Sequence, residues 1–258
     1  MEMQSFVSET LQKAGAAVLP YFKNSNVTRK GAGSNDILTE ADIASQQIIV
    51  EAIHQNFPND GIVAEEEGLQ ERTDAECVWY VDPIDGTRNF ATGIPIYGIM
   101  MARARGEIVE AGGSYLPSLE TLAYAERGKG CLINDKPARP SKETDWSMSY
   151  GIGPVKIGTE KFQLTNSALM AITDGKGQWA NGIGCPAAAC VWLASGSRDW
   201  FISSGSKVWD YAASALIMQE AGCVTLNRKG EPWGLKDLEV FACAPGLETK
   251  LREFLKIR

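Results

Sequence analysis

The chain has 258 residues, 44% hydrophobic and 22% charged, a balance that suits a folded globular protein and excludes a disordered or collagen-like one. That length buries a sizeable core, as one large domain or two closely packed halves. The formal net charge of −7 argues against a nucleic-acid polymer as partner, which would need Lys and Arg to neutralise its phosphates.

In chain order, Phe6, Val7, Leu11, Ala14, Val18 and Leu19 recur at helical spacing and predict an amphipathic helix over residues 4–22, frayed at Pro20. Residues 30–35 read Lys-Gly-Ala-Gly-Ser-Asn, a connection expected to be mobile because glycine permits unusual backbone angles. A second helix is predicted over residues 39–57, with Ile43, Ile49, Ile53 and Phe57 as its buried stripe. Short β-rich runs follow at 61–65, 78–82, 98–104 and 108–115. Alternation over 122–136, with turn signals at Arg127-Gly128 and Asn134-Asp135, predicts hairpin strands.

After Pro140 a second α/β segment is predicted. It holds a helix over 160–172, a small-residue segment at 187–194, a strand near 199–203 and a helix over 209–221 stopped by Gly222. The expected division is therefore 1–140 and 141–258. Trp179, Trp192 and Trp200 are read as core residues.

The six cysteines include no C-x-x-C pair and are expected to be reduced, mostly buried thiols. The single histidine, His54, leaves a His-based zinc site or a Ser-His-Asp triad hard to build and is read as an ordinary helix residue. No apolar run approaches the roughly 20 residues that span a bilayer, and the start has no secretory signature, so no membrane partner and a cytoplasmic location are expected.

The strongest chemical signal is the string from Trp79 to Phe90, Trp-Tyr-Val-Asp-Pro-Ile-Asp-Gly-Thr-Arg-Asn-Phe. An apolar strand ends in two carboxylates, Asp82 and Asp85, with Pro83 restricting the backbone between them, so both acids can converge on one point. Gly86 allows close backbone approach, and the N–H groups of Gly86 and Thr87 at a helix start favour an anion. Cation ligands and a phosphate cradle would then be adjacent. An isolated D-x-x-D would more simply cap a turn.

The whole string resembles the inositol monophosphatase signature, an apolar strand followed by D-P-x-D-G-T-x-N-F. Three further blocks agree in order: Asp36-Ile-Leu-Thr39-Glu-Ala-Asp42, Ala64-Glu65-Glu66, and Trp209-Asp210 with a small-residue helix ending Glu220-Ala221-Gly222. The resemblance implies a layered α/β/α/β/α sandwich of the inositol monophosphatase and fructose bisphosphatase type. It also implies Mg²⁺-dependent, Li⁺-inhibited phosphomonoester hydrolysis, with Mn²⁺ as a possible substitute. It gives one metal to Glu65, Asp82 and the carbonyl of Ile84, and a second to Asp82, Asp85 and Asp210. Strands 61–64 and 78–81, if parallel, would bring Glu65 beside Asp82.

By the same resemblance Asp42, which with Thr39 forms a capping box, pairs with Thr87 to activate a water, and Glu66 assists as an outer base. Asp85, Gly86, Thr87 and Asp210 would contact substrate. Ser203 stands where inositol-preferring members carry a glutamate, and Gly184-Cys185-Pro186 replaces their Gly-Thr/Ser-Ala segment. Inositol monophosphate is thus one candidate small phosphomonoester among histidinol phosphate, fructose 1,6-bisphosphate and adenosine 3′,5′-bisphosphate. A homodimer is expected from the family, and a non-catalytic metal- or phosphate-binding role would be marked by loss of one of these acids or of Thr87.

Overall fold

The computed structural model describes residues 2–30, 37–153, 160–173, 179–203 and 207–257. Beyond Lys30 the glycine-rich connection, with Asp36, lies outside these residues. In order the elements are α1 (Met3–Val18), β1 (Val27–Arg29), β2 (Ile37–Thr39), α2 (Glu40–Asn56), β3 (Gly61–Ala64), β4 (Gln70–Glu71), β5 (Cys77–Asp85), α3 (Thr87–Thr92), β6 (Gly98–Arg105), β7 (Ile108–Leu116), β8 (Thr121–Glu126), β9 (Gly130–Ile133) and β10 (Lys136–Pro137). There follow β11 (Tyr150–Ile152), α4 (Glu160–Ile172), β12 (Trp179–Asn181), α5 (Pro186–Ala194), β13 (Trp200–Ile202), α6 (Val208–Ala221), β14 (Val224–Leu226), β15 (Phe241–Cys243) and α7 (Glu248–Ile257).

Among the described residues, an eight-stranded sheet has the order β10-β9-β8-β7-β6-β5-β3-β4, and a five-stranded sheet the order β12-β11-β13-β15-β14. Helices α1 and α2 cover one face of the larger sheet around Phe6, Leu11, Ile49, Ile53 and Trp79. Helices α5 and α6 fill the space between the sheets with alanines, cysteines and Leu216, Ile217 and Met218. Helices α4 and α7 cover the outer face of the second sheet over Trp200, Phe241 and Phe254. This is the layered α/β/α/β/α sandwich expected.

Small residues thin the middle layer. Helix α5 is Pro-Ala-Ala-Ala-Cys-Val-Trp-Leu-Ala, and its alanines 187–189 are fully buried. The chain packs one helix pair against two sheets because short side chains let helix and strand backbones approach.

The predicted helices stand close to their expected bounds. Gly222, at φ 100°, ends α6 in the left-handed conformation that a side chain would strain. Asn134 and Asp135, at φ 46° and 60°, make the left-handed turn between β9 and β10. All six cysteines are free and buried, and His54 lies exposed on α2 beside Glu71.

Several expectations are corrected. Trp200 is fully buried, but Trp179, on the edge strand β12, is 79% exposed. Leu19, outside α1, is also exposed. On α2 the buried stripe is Ala41, Asp42, Ser45, Gln46, Ile49 and Ile53, so its first turns bury polar groups where Ile43 was expected.

Candidate active site

Strands β3 and β5 are parallel, with Ala64 opposite Val81, so the residues that follow, Glu65 and Asp82, emerge side by side. The Glu65 N–H donates to Val81 O at 3.2 Å and continues the ladder one step. Strand β5 does not stop at Asp82 as expected. It runs to Asp85 through a bulge: Asp82 pairs with Met100 and Asp85 with Gly98, so three steps on β5 face two on β6. Pro83 sits in that bulge, where its missing N–H costs no ladder bond. The extra residue re-aims the acids.

Gly86 follows at φ 82° and starts α3. A Cβ there would stand 3.1 Å from Ile96 O and 3.2 Å from Cys185 Cβ, so another residue would be strained in its dihedral and would push its neighbours by a few tenths of an ångström. The rest of the motif holds the turn in place. Asn89 Nδ2 donates to Ile96 O and Ile183 O at 2.7 and 2.8 Å, tying α3 to the segment before α5. Phe90 is buried against Tyr97 and Phe22.

The third carboxylate arrives from the second half of the chain. Asp210, in the first turn of α6, accepts the Lys207 N–H at 2.8 Å. One carboxylate oxygen from each of Glu65, Asp82 and Asp210 lies within 4.8 Å of the others. Asp85 lies three residues beyond Asp82, and its Oδ2 accepts the Ala187 N–H at 2.5 Å, at the start of α5.

The polar stripe of α2 supports this cluster from behind. Asp42 Oδ2 accepts the Thr39 N–H and hydroxyl at 2.8 and 2.6 Å, the predicted capping box, while Oδ1 lies 3.3 Å from Thr87 Oγ1. Thr87 Oγ1 is also 2.9 Å from Ile84 O, so its single proton chooses between two acceptors. Ser45 donates to Pro83 O at 2.7 Å, inside the bulge. Gln46 clamps the backbone of Glu66 in both directions, at 3.1 and 2.9 Å.

Sequence reasoning did not place Ser45, Gln46 or Lys30 in the site. For the first two the signal was present: positions 42, 45 and 46 continue the 49, 53 stripe at helical spacing. Lys30 Nζ reaches Glu65 at 2.8 Å and Glu66 at 2.7 Å. Ser203 follows β13, with its hydroxyl against the buried phenol of Tyr211.

Asp82, Asp85, Glu66 and Asp42 resist ionisation. Burial raises Asp82 well above the usual range, and the charges of Glu65, Asp85 and Asp210 add to it. Burial, then the charge of Asp210, pushes Asp85 up to about 8, against the opposing bond from Ala187. Burial carries Glu66 to about 7 despite Lys30, and Asp42 to about 6 despite the bonds from Thr39. For Lys30, burial works against the charge, but the bonds to Glu65 and Glu66 outweigh it and raise its pKa.

A divalent cation fits this arrangement. Among the described residues Asp82 Oδ1 is buried and has no hydrogen-bond donor, a costly state for a carboxylate unless a cation or proton satisfies it. Every donor is a hard oxygen, which suits Mg²⁺ or Mn²⁺ rather than a thiolate-bound metal.

Carboxylates at the ends of parallel strands, with Asp82 buried, stand beside a hydroxyl–carboxylate pair and a glycine turn, an arrangement that suits a hydrolase of phosphate esters. The sequence profile of the inositol monophosphatase family matches residues 1–256. A putative Nus factor SuhB of Neisseria meningitidis is 33% identical over 231 residues, 86% of this chain and 84% of that one. A fructose-1,6-bisphosphatase/inositol-1-monophosphatase of Thermotoga maritima is 29% identical over 231 residues, 90% of this chain and 87% of its own. The crystal structure of the extragenic suppressor protein suhB from Bartonella henselae superposes with a TM-score of 0.88, at 26% identity over 98% of each chain. The chain belongs to the inositol monophosphatase family and is a phosphoric monoester hydrolase.

Proposed function

We propose that the protein hydrolyses a small sugar or polyol monophosphate in a Mg²⁺-dependent, Li⁺-sensitive reaction. The observation that carries this reading is the convergence of carboxylate oxygens of Glu65, Asp82 and Asp210 within 4.8 Å, where Asp82 also has a buried Oδ1 with no donor. Glu65, Asp82 and Asp210 would hold a divalent cation, and by the family resemblance the carbonyl of Ile84 would join Glu65 and Asp82 at that cation while Asp85 would join Asp82 and Asp210 at a second. Bound there, the cation supplies charge neutralisation for the phosphate and a lowered pKa for water.

The chain's own groups then do the following. The N–H groups of Gly86 and Thr87 receive a phosphate oxygen at the start of α3. Thr87 Oγ1 orients the attacking water and passes a proton toward Asp42 Oδ1, and a carboxyl titrating at about 6 suits proton transfer near neutrality. Glu66, at about 7, is a second acceptor for that proton. The water oxygen bonds to phosphorus, the ester P–O bond breaks, and the leaving alkoxide takes a proton from a second, solvent water on the Asp210 side. No covalent enzyme intermediate is needed.

The alcohol pocket departs from the inositol-preferring pattern. The Ser203 hydroxyl is engaged by Tyr211, and Pro186, at the first position of α5, has no N–H to offer a substrate hydroxyl. A missing buried partner flattens preference among polyols. Inositol 1-phosphate is therefore one of several comparable substrates in this reading. The complete set of Asp42, Glu65, Asp82, Asp85, Thr87 and Asp210 supports catalysis over a purely binding role.

The test is phosphate release from inositol 1-phosphate, histidinol phosphate, fructose 1,6-bisphosphate and adenosine 3′,5′-bisphosphate, with Mg²⁺ and after chelation. Turnover of at least one ester, abolished by chelator and restored by Mg²⁺, is expected. Full activity in chelator would overturn the reading.

A further inference from the structure

Helix α6 is buried continuously from Tyr211 to Met218 and lies between the two sheets. Its contact with the larger sheet is made by small residues: a Cβ added to Gly112 in β7 would stand 3.3 Å from the Cα of Ala213. Such a face brings helix and sheet close but offers only shallow ridges, which resist sliding along the axis less well than large interlocking side chains. Polar contacts at its C-terminal end supply what the middle lacks.

At the first end a carboxylate oxygen of Asp210 lies within 4.8 Å of oxygens of Glu65 and Asp82, like charges that repel rather than hold it there. At the other, the carboxylate of Glu220 accepts two backbone N–H groups, Gly128 to Oε1 at 3.0 Å and Gly130 to Oε2 at 2.9 Å. These glycines form the turn from β8 to β9, at φ 77° and 87°, conformations that point successive N–H groups at one anion. Both partners of α6, the β3–β5 edge and the β8–β9 turn, belong to the same eight-stranded sheet. Over the ten steps from Asp210 to Glu220 the helix is a strut of about 15 Å, bonded to that sheet at Glu220 and carrying Asp210 at its other end.

We propose that Glu220 is a positioning residue that fixes the axial placement of α6, and so the distance of Asp210 from Glu65 and Asp82 and the affinity for Mg²⁺. The inference rests on the proposed cation site. Mg²⁺ demands near-ideal octahedral ligands at about 2.0–2.1 Å, whereas Ca²⁺ accepts longer and looser coordination. A small axial slip of Asp210 therefore weakens Mg²⁺ binding more than Ca²⁺ binding.

The experiment is calorimetric titration of the full chain, stripped of metal, with MgCl₂ or CaCl₂ alone and no substrate. Glu220→Ala should weaken Mg²⁺ by about tenfold, the lower end for residues that orient metal ligands, and Ca²⁺ by less than about threefold. Glu220→Gln, which keeps one acceptor, should recover most of the Mg²⁺ affinity, and Glu220→Asp, too short to span both glycines, should not. With Asp210→Asn in place, Glu220→Ala should change Mg²⁺ affinity no further, because its effect runs through Asp210. If Glu220→Ala does not fold, the order wild type, Gln, Asp decides the question.

Unchanged Mg²⁺ affinity in these variants, even with a lowered melting temperature, would overturn the proposal and leave Glu220 a plain structural contact. So would an equal loss for Mg²⁺ and Ca²⁺, or an additive loss in the Asp210→Asn background. A wild-type chain that binds no Mg²⁺ would instead overturn the proposed function itself.

Discussion

Replacing Asp85 by Asn should make the metal-free protein more stable while removing its activity. Asp85 is 7% exposed and its carboxyl titrates at about 8, so near pH 7.5 folding works against a group that prefers to be charged in the unfolded chain. A shift of about 4 units at about 1.4 kcal/mol each sets a ceiling of about 5 kcal/mol at that pH. Asp82 and Asp210 share the repulsion, and one proton relieves several of these acids at once, so about 2–4 kcal/mol is the gain expected on neutralising Asp85.

Asn costs little in return, because its carbonyl oxygen can accept the Ala187 N–H that Asp85 accepts. In chelator the variant should melt about 5–10 °C above wild type. Saturating Mg²⁺, at a hundredfold excess over its dissociation constant, should raise wild-type stability by about 2.7 kcal/mol and the variant's far less, so the gap narrows or inverts. Turnover should fall by about a hundredfold or more. The assay is thermal and urea denaturation in chelator and in Mg²⁺. An Asp85→Asn protein less stable than wild type in chelator would refute the reasoning, since it would mean that the native bonds of the carboxylate outweigh its burial and repulsion.

Thr87→Ala should lower kcat by about a hundredfold with little change in folding or Mg²⁺ affinity, because its hydroxyl orients water rather than holding the fold together. Near-normal kcat would disprove the pairing with Asp42. The folded-state pKa values of Asp42, Glu66 and Asp85 lie above their unfolded values, so the stability gained on protonation is fully present below about pH 4 and is lost as pH rises through 6 to 8. Over that window the melting temperature in chelator should fall and Mg²⁺ affinity should rise. A metal-free melting temperature that climbs from pH 5 to 8 would contradict the burial and repulsion assigned to these acids. Ser203→Glu should raise kcat/KM for inositol 1-phosphate relative to other esters, and more so with Tyr211→Phe, which removes the phenol now facing Ser203. Selectivity unchanged in the double variant would show that the alcohol group binds elsewhere.

Much of the site was legible because its chemistry is local in sequence. The Asp82–Phe90 string supplies a strand end, two acids, a left-handed glycine and an anchored helix start, and the parallel pairing of β3 with β5 follows from two apolar runs that each end in an acid. The bulge was not legible, since the extra residue is defined only against β6, whose register the sequence does not reveal. Lys30 was missed for a similar reason: its link to Glu65 and Glu66 spans 35 and 36 positions.

Helix α2 teaches a different lesson. Choosing only apolar residues for its buried stripe led to Ile43, whereas the periodicity itself passes through Asp42, Ser45 and Gln46, which are buried because the site satisfies them. In the second half, strands β11, β12, β14 and β15 are three residues each, too short to show a period of two. Trp179 illustrates the cost: its size suggested a core position, but an edge strand leaves it in the open.

The central claim is that Glu65, Asp82 and Asp210 form one cation site. Crystals of the protein soaked in MnCl₂, measured at the manganese absorption edge, test it most directly. An anomalous peak in contact with Asp82 Oδ1 and with oxygens of Glu65 and Asp210 is the predicted result. No peak at these three side chains at saturating Mn²⁺, with Lys30 still bound to Glu65, would contradict it.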